Sequence, residues 1–277
     1  MRREHGFQGV AERVSALGEL AVLRRDGVNR IGRLYQEGSA KIRMPKTPAD
    51  ALETVLINTA GGLTGGDRMD WRVTVGEGAA ATVTTQACEK IYRASFGVAE
   101  VGCRLAVAAG GRLDWLPQET IVFDNASFER TLELDLADGA EALLVEAAVF
   151  GRRAMGETVR RAHFADRWRV RREGRLIHAE AFCVGPDAAG QLAASAALAG
   201  GTAMATVALF ADDAETRLEL ARDVIGDAGG ASAWRVGGAG KLLARLVADD
   251  GYSLRERLLP LLQLLKNEAG LPKVWTI

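Results

Sequence analysis

Three carboxylates and one glycine-rich bend carry the chemistry this sequence offers. Asp67 closes the stretch NTAGGLTGGDRM (58–69), in which Gly61, Gly62, Gly65 and Gly66 fall within six positions. Glycine at that density lets the backbone take positive φ or lie hard against another segment. What approaches the bend is a phosphate, a metal ion, another protein or the next layer of the fold. The Asp67 side chain either satisfies its own backbone in an Asx-type turn or points into a cavity. Glu146 lies seven residues after Gly139, where Gln118 follows Gly111 by seven and Gln86 follows Gly78 by eight. It is either a strand residue facing solvent or part of a polar line through the interior. Glu180 stands two positions from His178 in RLIHAEAF, on the same side of an extended strand. Oxygen and imidazole ligands of this kind hold a divalent ion weakly. Asp67 and Glu146 also suit an acid–base pair in a carboxylate enzyme of unknown substrate.

Other chemistries lack their residues. A phosphate-binding P-loop needs GxxxxGK[ST]. No lysine lies around Gly61, and GGAGKLL (237–243) carries Leu242 where the hydroxyl belongs. A dinucleotide GxGxxG after a strand and a GxSxG nucleophile elbow are both missing. The chain has three histidines (His5, His163, His178) and three widely spaced cysteines (Cys88, Cys103, Cys183). Neither a zinc cage nor a disulfide framework follows from these, so any metal contact is expected to be transient rather than a stable site.

The elements that must position these groups are mostly strands. TLELDLADG, EVGCRLAVAAGG and DWRVTVGEG alternate apolar and polar residues with period two. Three segments read as strand, glycine turn, strand, with Gly78, Gly111 and Gly139 lying 33 and 28 positions apart. That spacing predicts stacked β-turn-β units, a helical strand path, rather than alternating β-α-β. In the last third, DDAETRLELARDVIG spaces Leu218, Ala221, Val224 and Ile225 for an amphipathic helix behind a capping aspartate. A second helix is predicted from Ser253 to before Gly270, kinked or broken at Pro260. ATVALFA and SAWRV read as short strands. The expected fold is mainly β, layered and β-helix-like, with a small helical elaboration in the C-terminal third. Residues 1–12 read as a loose tail. Residues 13–277 read as one domain, mostly β to 185 and mixed from 186.

Two segments suit a partner surface. Lys90, Tyr92 and Arg93 put long side chains on a strand, and Tyr and Arg are common interface anchors. In VRRAHFADRWRVRREGR (159–175), Arg167, Arg169 and Arg171 share one face with Trp168 and Val170 on the other. That face is either solvated or meets an acidic partner, which would make the chain a β-rich binding module. GRRAMGE reads as a tight turn fixed by Gly151 and Gly156, with Arg152 and Glu157 paired. Thirty-five basic against 36 acidic residues give a formal charge of -1, which argues against a nucleic-acid binder. No apolar run is long enough for a membrane span, and the N-terminus lacks a signal peptide's apolar core. A cytoplasmic location is expected.

AGGLTGGD (60–67), TTQACEKIYRAS (84–95), LPQETIVFDNASF (116–128) and FGRRAMGE (150–157) together resemble the urease accessory protein UreD family, called UreH in some organisms. GKLLARLVADDG (240–251) and LPKVW (271–275) extend the resemblance over roughly residues 15–277. One departure is NTA before the glycines, where many members carry prolines. The resemblance implies a non-catalytic maturation factor with a β-rich, helical strand path. It implies binding to apo-urease and recruitment of UreF, which docks the nickel-carrying GTPase UreG. It also implies an internal passage for Ni(II) in transit, with no tightly bound cofactor. Asp67, Glu146 and Glu180 match acidic positions proposed to line that route. Scarce His and Cys suit a conduit, because strong ligands would trap nickel.

Overall fold

The computed structural model describes residues 13–236, 238–266 and 270–275, so the tail expected at 1–12 lies outside the described residues. The chain opens with β1 (Ser15–Arg25) and β2 (Val28–Glu37), a hairpin turning at Asp26 and Gly27. β3 (Ala40–Arg43) and β4 (Leu52–Asn58) form a second antiparallel pair. The glycine-rich bend follows, then β5 (Arg68–Val75), β6 (Ala80–Thr85) and β7 (Glu89–Ile91). The same three-part path repeats as β8 (Ala99–Val107), β9 (Arg112–Leu116) and β10 (Thr120–Val122). A third turn of the coil is β11 (Ser127–Leu136) and β12 (Glu141–Phe150), and β13 (His163–Arg172) and β14 (Arg175–Val184) close the run.

Each turn of the coil stacks on the one before in parallel register. β1, β5, β8, β11 and β13 make the parallel centre of one sheet, with β2 and β14 antiparallel at its edges. β4, β6, β9 and β12 make the parallel part of the opposite sheet. A short third ladder joins Leu63, β7, β10 and the end of β12 at Ala148–Phe150. The strand path is therefore solenoid-like, as the turn spacing predicts. One detail differs from the sequence reading. The left-handed residue of the second turn is Gly110, at φ 64, while Gly111 is packed against the carbonyls of Ala108 and Gly76.

Beyond β14 the chain adds α1 (Ala188–Ala193), β15 (Ala203–Phe210), α2 (Leu218–Ile225), β16 (Gly229–Val236), β17 (Ala239–Ala248) and α3 (Gly251–Leu265). β15, β17 and β16 extend the second sheet beyond β12 by antiparallel pairing. β17 lies where the sequence reading placed no strand. α3 starts at Gly251 rather than Ser253, because Asp250 caps it by accepting the Ser253 N–H at 2.8 Å. Pro260 sits within this helix, and both it and Glu256 are exposed. The carbonyl that loses its N–H partner therefore stays hydrated.

The two sheets are covered differently, and their sequences show it. The first sheet buries mainly its inner face, so β11 alternates buried with half-buried or exposed residues, and β13 alternates buried with half-buried ones from Asp166 onward. The part of the second made by β12, β15 and β17 is covered on one side by the first sheet and on the other by α2, through Ala221 and Ile225, and by α3, through Leu254, Leu258, Leu261 and Leu262. β12 and β15 are consequently buried almost throughout, as strands covered on both faces must be. Any charged residue in either inward register must find a partner inside.

Candidate functional site

The glycine-rich bend is approached by the fold itself. Leu63 donates its N–H to the Lys90 carbonyl and accepts from the Tyr92 N–H, both at 2.8 Å. A Cβ at Gly62 would fall 2.3 Å from the Tyr92 ring, and one at Gly65 would fall 2.1 Å from the Phe96 carbonyl oxygen. No side chain fits there, so the bend docks backbone to backbone on the segment after β7. Asp67 is buried, and its two oxygens accept the Val14 N–H at 2.9 Å and the Thr64 N–H at 2.8 Å. Its carboxylate ties the start of β1 to the bend. It lines none of the cavities described below, so the structure does not bring Asp67 together with Glu146 and Glu180. An Asp67–Glu146 acid–base pair is not assembled either.

Glu146 does face the interior. On β12 it lies where the two sheets and the third ladder converge, and it is buried. β11 and β13 pair Arg130 in register with Asp166, and both are buried. The Arg130 guanidinium donates to Asp166 through Nε at 3.1 Å and Nη2 at 2.6 Å, a two-pronged grip. Its Nη1 donates to the Thr120 hydroxyl at 3.1 Å and lies 2.5 Å from Glu146 Oε2, the latter without hydrogen-bond alignment. Two indoles orient the carboxylates. Trp115 donates to Glu146 at 3.0 Å and Trp168 donates to Asp166 at 3.2 Å. Two carboxylates thus share one guanidinium. Burial pushes the Glu146 carboxyl up, Arg130 opposes without reversing it, and the nearby charge of Asp166 adds to the rise. Uptake of a proton or of another cation at Glu146 would balance the cluster.

Cavities adjoin this cluster on both sides. One of about 50 Å³ is lined by Arg130 and Glu146 together with Trp71, Trp115, Thr120 and Glu89. A smaller one of about 10 Å³ shares Arg130 and Glu146 and adds Asp166, Thr206 and Glu180. A water needs roughly 10–15 Å³ measured this way, so the first holds a few waters and the second about one. The larger cavity also shares Leu56, Trp71, Thr85 and Glu89 with a surface pocket of about 350 Å³ that reaches Gly61, Gln86 and Lys90. The surface pocket and the larger cavity therefore adjoin at a wall that includes Glu89, and the two cavities adjoin at the Arg130–Glu146 contact, with Glu180 lining the smaller one.

Each end carries a carboxylate. Glu180, on β14, is paired with Arg245, half of whose side chain is exposed. β12, β15 and β17 place Glu146, Thr206 and Arg245 in one register row. At the other end Glu89 accepts from the Asn58 amide at 3.2 Å on both oxygens. Burial pushes its carboxyl up to about 7, against the Asn58 and Lys90 N–H groups that favour the anion. The ordinary value is 4.5. An unfolded chain loses this proton near its ordinary value and the folded chain keeps it until about 7, so stability falls as pH rises through that window. The loss amounts to at most about 3 kcal/mol. Glu89→Gln is expected to flatten this fall. Urea melts at about pH 5 and about pH 8 test it, and a fall as steep as in the parent chain would contradict the assignment.

The remaining candidates lie elsewhere. His178 faces inward like Glu180, but its Nδ1 lies 3.4 Å from Lys241 Nζ. Burial and then Lys241 push its pKa down to about 4. It shares no cation site with Glu180, and no group of three or more His, Cys, Asp or Glu suited to a metal occurs among the described residues. Lys90, Tyr92 and Arg93 do not share a strand, because β7 ends at Ile91 and Arg93 bridges Ala126 instead. All three are exposed; Lys90 lines the pocket, and the Tyr92 hydroxyl donates to the Gly61 carbonyl at its edge at 3.0 Å. Arg167, Arg169 and Arg171 do line the outer face of the first sheet. Arg167 pairs with Glu129 at 3.1 Å, and Arg169 donates to the Trp168 and Glu180 carbonyls at 2.7 and 3.3 Å. Arg152 and Glu157 pair at 2.7 Å, as the turn predicts.

Sequence reasoning passed over Glu89, Arg130 and Asp166, although a signal was present for the last two. Arg130 interrupts the inward register Phe128, Leu132, Leu134, Leu136, and Asp166 interrupts Phe164, Trp168, Val170.

Comparison with known proteins gives the family. A family model described as UreD urease accessory protein matches residues 15–276. A urease accessory protein UreD of Mesorhizobium japonicum is 58% identical over 268 residues, covering 97% of this chain and 96% of its own length. Its counterpart in Brucella suis is 56% identical over 274 residues, covering 99% and 98%. The chain belongs to the UreD family of urease accessory proteins.

Proposed function

We propose that this chain is a scaffold and Ni(II) conduit in urease maturation. In this reading it binds apo-urease, recruits UreF and through it UreG, and passes the ion along its interior towards the urease active site. The observation that carries the reading is the line of cavities on either side of Glu146, with Glu89 at one end and Glu180 at the other. The oxygen donors along it are carboxylates, hydroxyls and amides, which replace part of nickel's water shell without trapping the ion. Cys88 and Cys103 also line it, and burial pushes both thiols up, away from the thiolate that would bind nickel tightly. The narrow space at Glu180 holds about one water, so an ion advancing there must exchange water for protein oxygen. Family membership supports the maturation role. No described helix is long and apolar enough to cross a membrane, and the proposed work is done among soluble partners in the cytoplasm.

Co-expression with UreF and apo-urease of the same organism, followed by size-exclusion chromatography with light scattering, tests the scaffold role. The expected result is a stable complex with UreF that captures apo-urease only when this chain is present. A chain that elutes alone beside both partners would overturn the proposal.

A further inference from the structure

The two interior cavities meet at one contact, between the Arg130 guanidinium and Glu146, and both groups line both spaces. A cation moving from the Glu89 side to the Glu180 side must therefore pass a resident cation. The two grips of that guanidinium are unequal. On Asp166 it has two aligned hydrogen bonds at 3.1 and 2.6 Å, within one register pair of adjacent strands. On Glu146 it has a single short contact at 2.5 Å, and Oε2 of that carboxylate, though buried, makes no aligned hydrogen bond. Glu146 is held from its other oxygen by the Trp115 indole. The contact that opens with least loss is therefore the one to Glu146. The carboxylates also outnumber the guanidinium two to one, so a second positive charge improves the balance of the cluster.

We infer that Arg130 is the gate of the passage: its guanidinium holds the Glu146 oxygen that a divalent cation must take in order to cross, and the cation advances when that contact opens. This inference rests on the conduit reading above. In the closed arrangement Arg130 acts as a standing competitor for Glu146, so a divalent ion gains only a weak foothold there. Asp166 keeps the guanidinium in the interior while Glu146 is released, so the gate recloses without an ion. Thr120, which accepts from Nη1 and neighbours Glu89 across the third ladder, supports the guanidinium on the entry side. Arg130 positions the ion and need not ligate it.

The test measures Ni²⁺ binding to the full chain by equilibrium dialysis with the metal alone. Arg130→Gln with Asp166→Asn removes one charge of each sign, so the interior keeps its net charge while Glu146 loses its competitor. This double variant is expected to bind Ni²⁺ at least tenfold more tightly than the parent chain, and adding Glu146→Gln is expected to abolish the gain. Arg130→Lys keeps a cation in place but loses the two-pronged grip, and it should shift affinity in the same direction by less. Circular dichroism identifies the folded variants to be compared. Affinity unchanged in both folded variants, or a gain that survives Glu146→Gln, would overturn the gate. Failure of the conduit itself is read separately. If Glu146→Gln and Glu180→Gln chains load urease with nickel as well as the parent does, the conduit fails whatever Arg130 does. If they lose loading while the Arg130 variants bind nickel no better, the conduit stands and the gate is wrong.

Discussion

Arg130→Ala is expected to destabilise the chain by about 3–5 kcal/mol, because it leaves Glu146 and Asp166 buried without their shared cation. The loss should show as a lower urea midpoint with an unchanged slope. It should be largely restored when Glu146→Gln and Asp166→Asn are added, since no uncompensated charge then remains inside. The restoration separates the electrostatic cause from lost packing, because the triple variant keeps the same missing arginine stem. A single variant within about 1 kcal/mol of the parent would mean that the cluster is solvated, contrary to its burial. This expectation also explains why the gate is tested with charge-balanced and lysine variants rather than with alanine.

Gly65→Ala is the second large effect. The added methyl would lie 2.1 Å from the Phe96 carbonyl and 2.7 Å from that of Gly97, and neither backbone atom can step aside alone. A loss of about 2–4 kcal/mol is expected, at or beyond the upper end of ordinary overpacking. Gly230→Ala is the control, because a methyl there meets nothing within 4 Å. It should change stability by no more than about 0.5 kcal/mol. Equal effects at the two positions would show that the bend is not held by close approach. The bend docks the segment after β7, so slackening it also disturbs Asn58 and Glu89 at the outer pocket.

These effects mark how far the sequence was legible. Period-two patterning in β5, β8 and β11, and the glycine turns between sheets, announced the stacked strand path, because those positions answer to local chemistry alone. β17 went unread because GKLLARLVA is buried between β15 and β16 and partly under helices, which erases the alternation that marks a half-buried strand. Glu146 was legible as a polar residue after a glycine turn, but its direction was not, since β12 is buried on both faces. Arg130 and Asp166 were visible as charges in apolar registers, yet their pairing depends on which turn of the coil stacks on which. Asp67 shows the opposite case. Its spacing after two glycines suited a cavity-facing acid or an Asx-type turn, and the carboxylate instead accepts from Thr64, three residues earlier, and from Val14 before β1, tying two segments together.

The most direct test of the central claim is the nickel content of urease matured in cells that carry variants of this chain, measured by mass spectrometry per active site. Glu146→Gln, alone and with Glu180→Gln, is expected to reduce nickel per site at least tenfold while complex formation with UreF and apo-urease persists. Asp67→Ala, which loses two backbone hydrogen bonds but no passage residue, should lower stability and leave nickel per assembled complex unchanged. Full nickel loading by the Glu146→Gln/Glu180→Gln chain at normal complex levels would contradict the account.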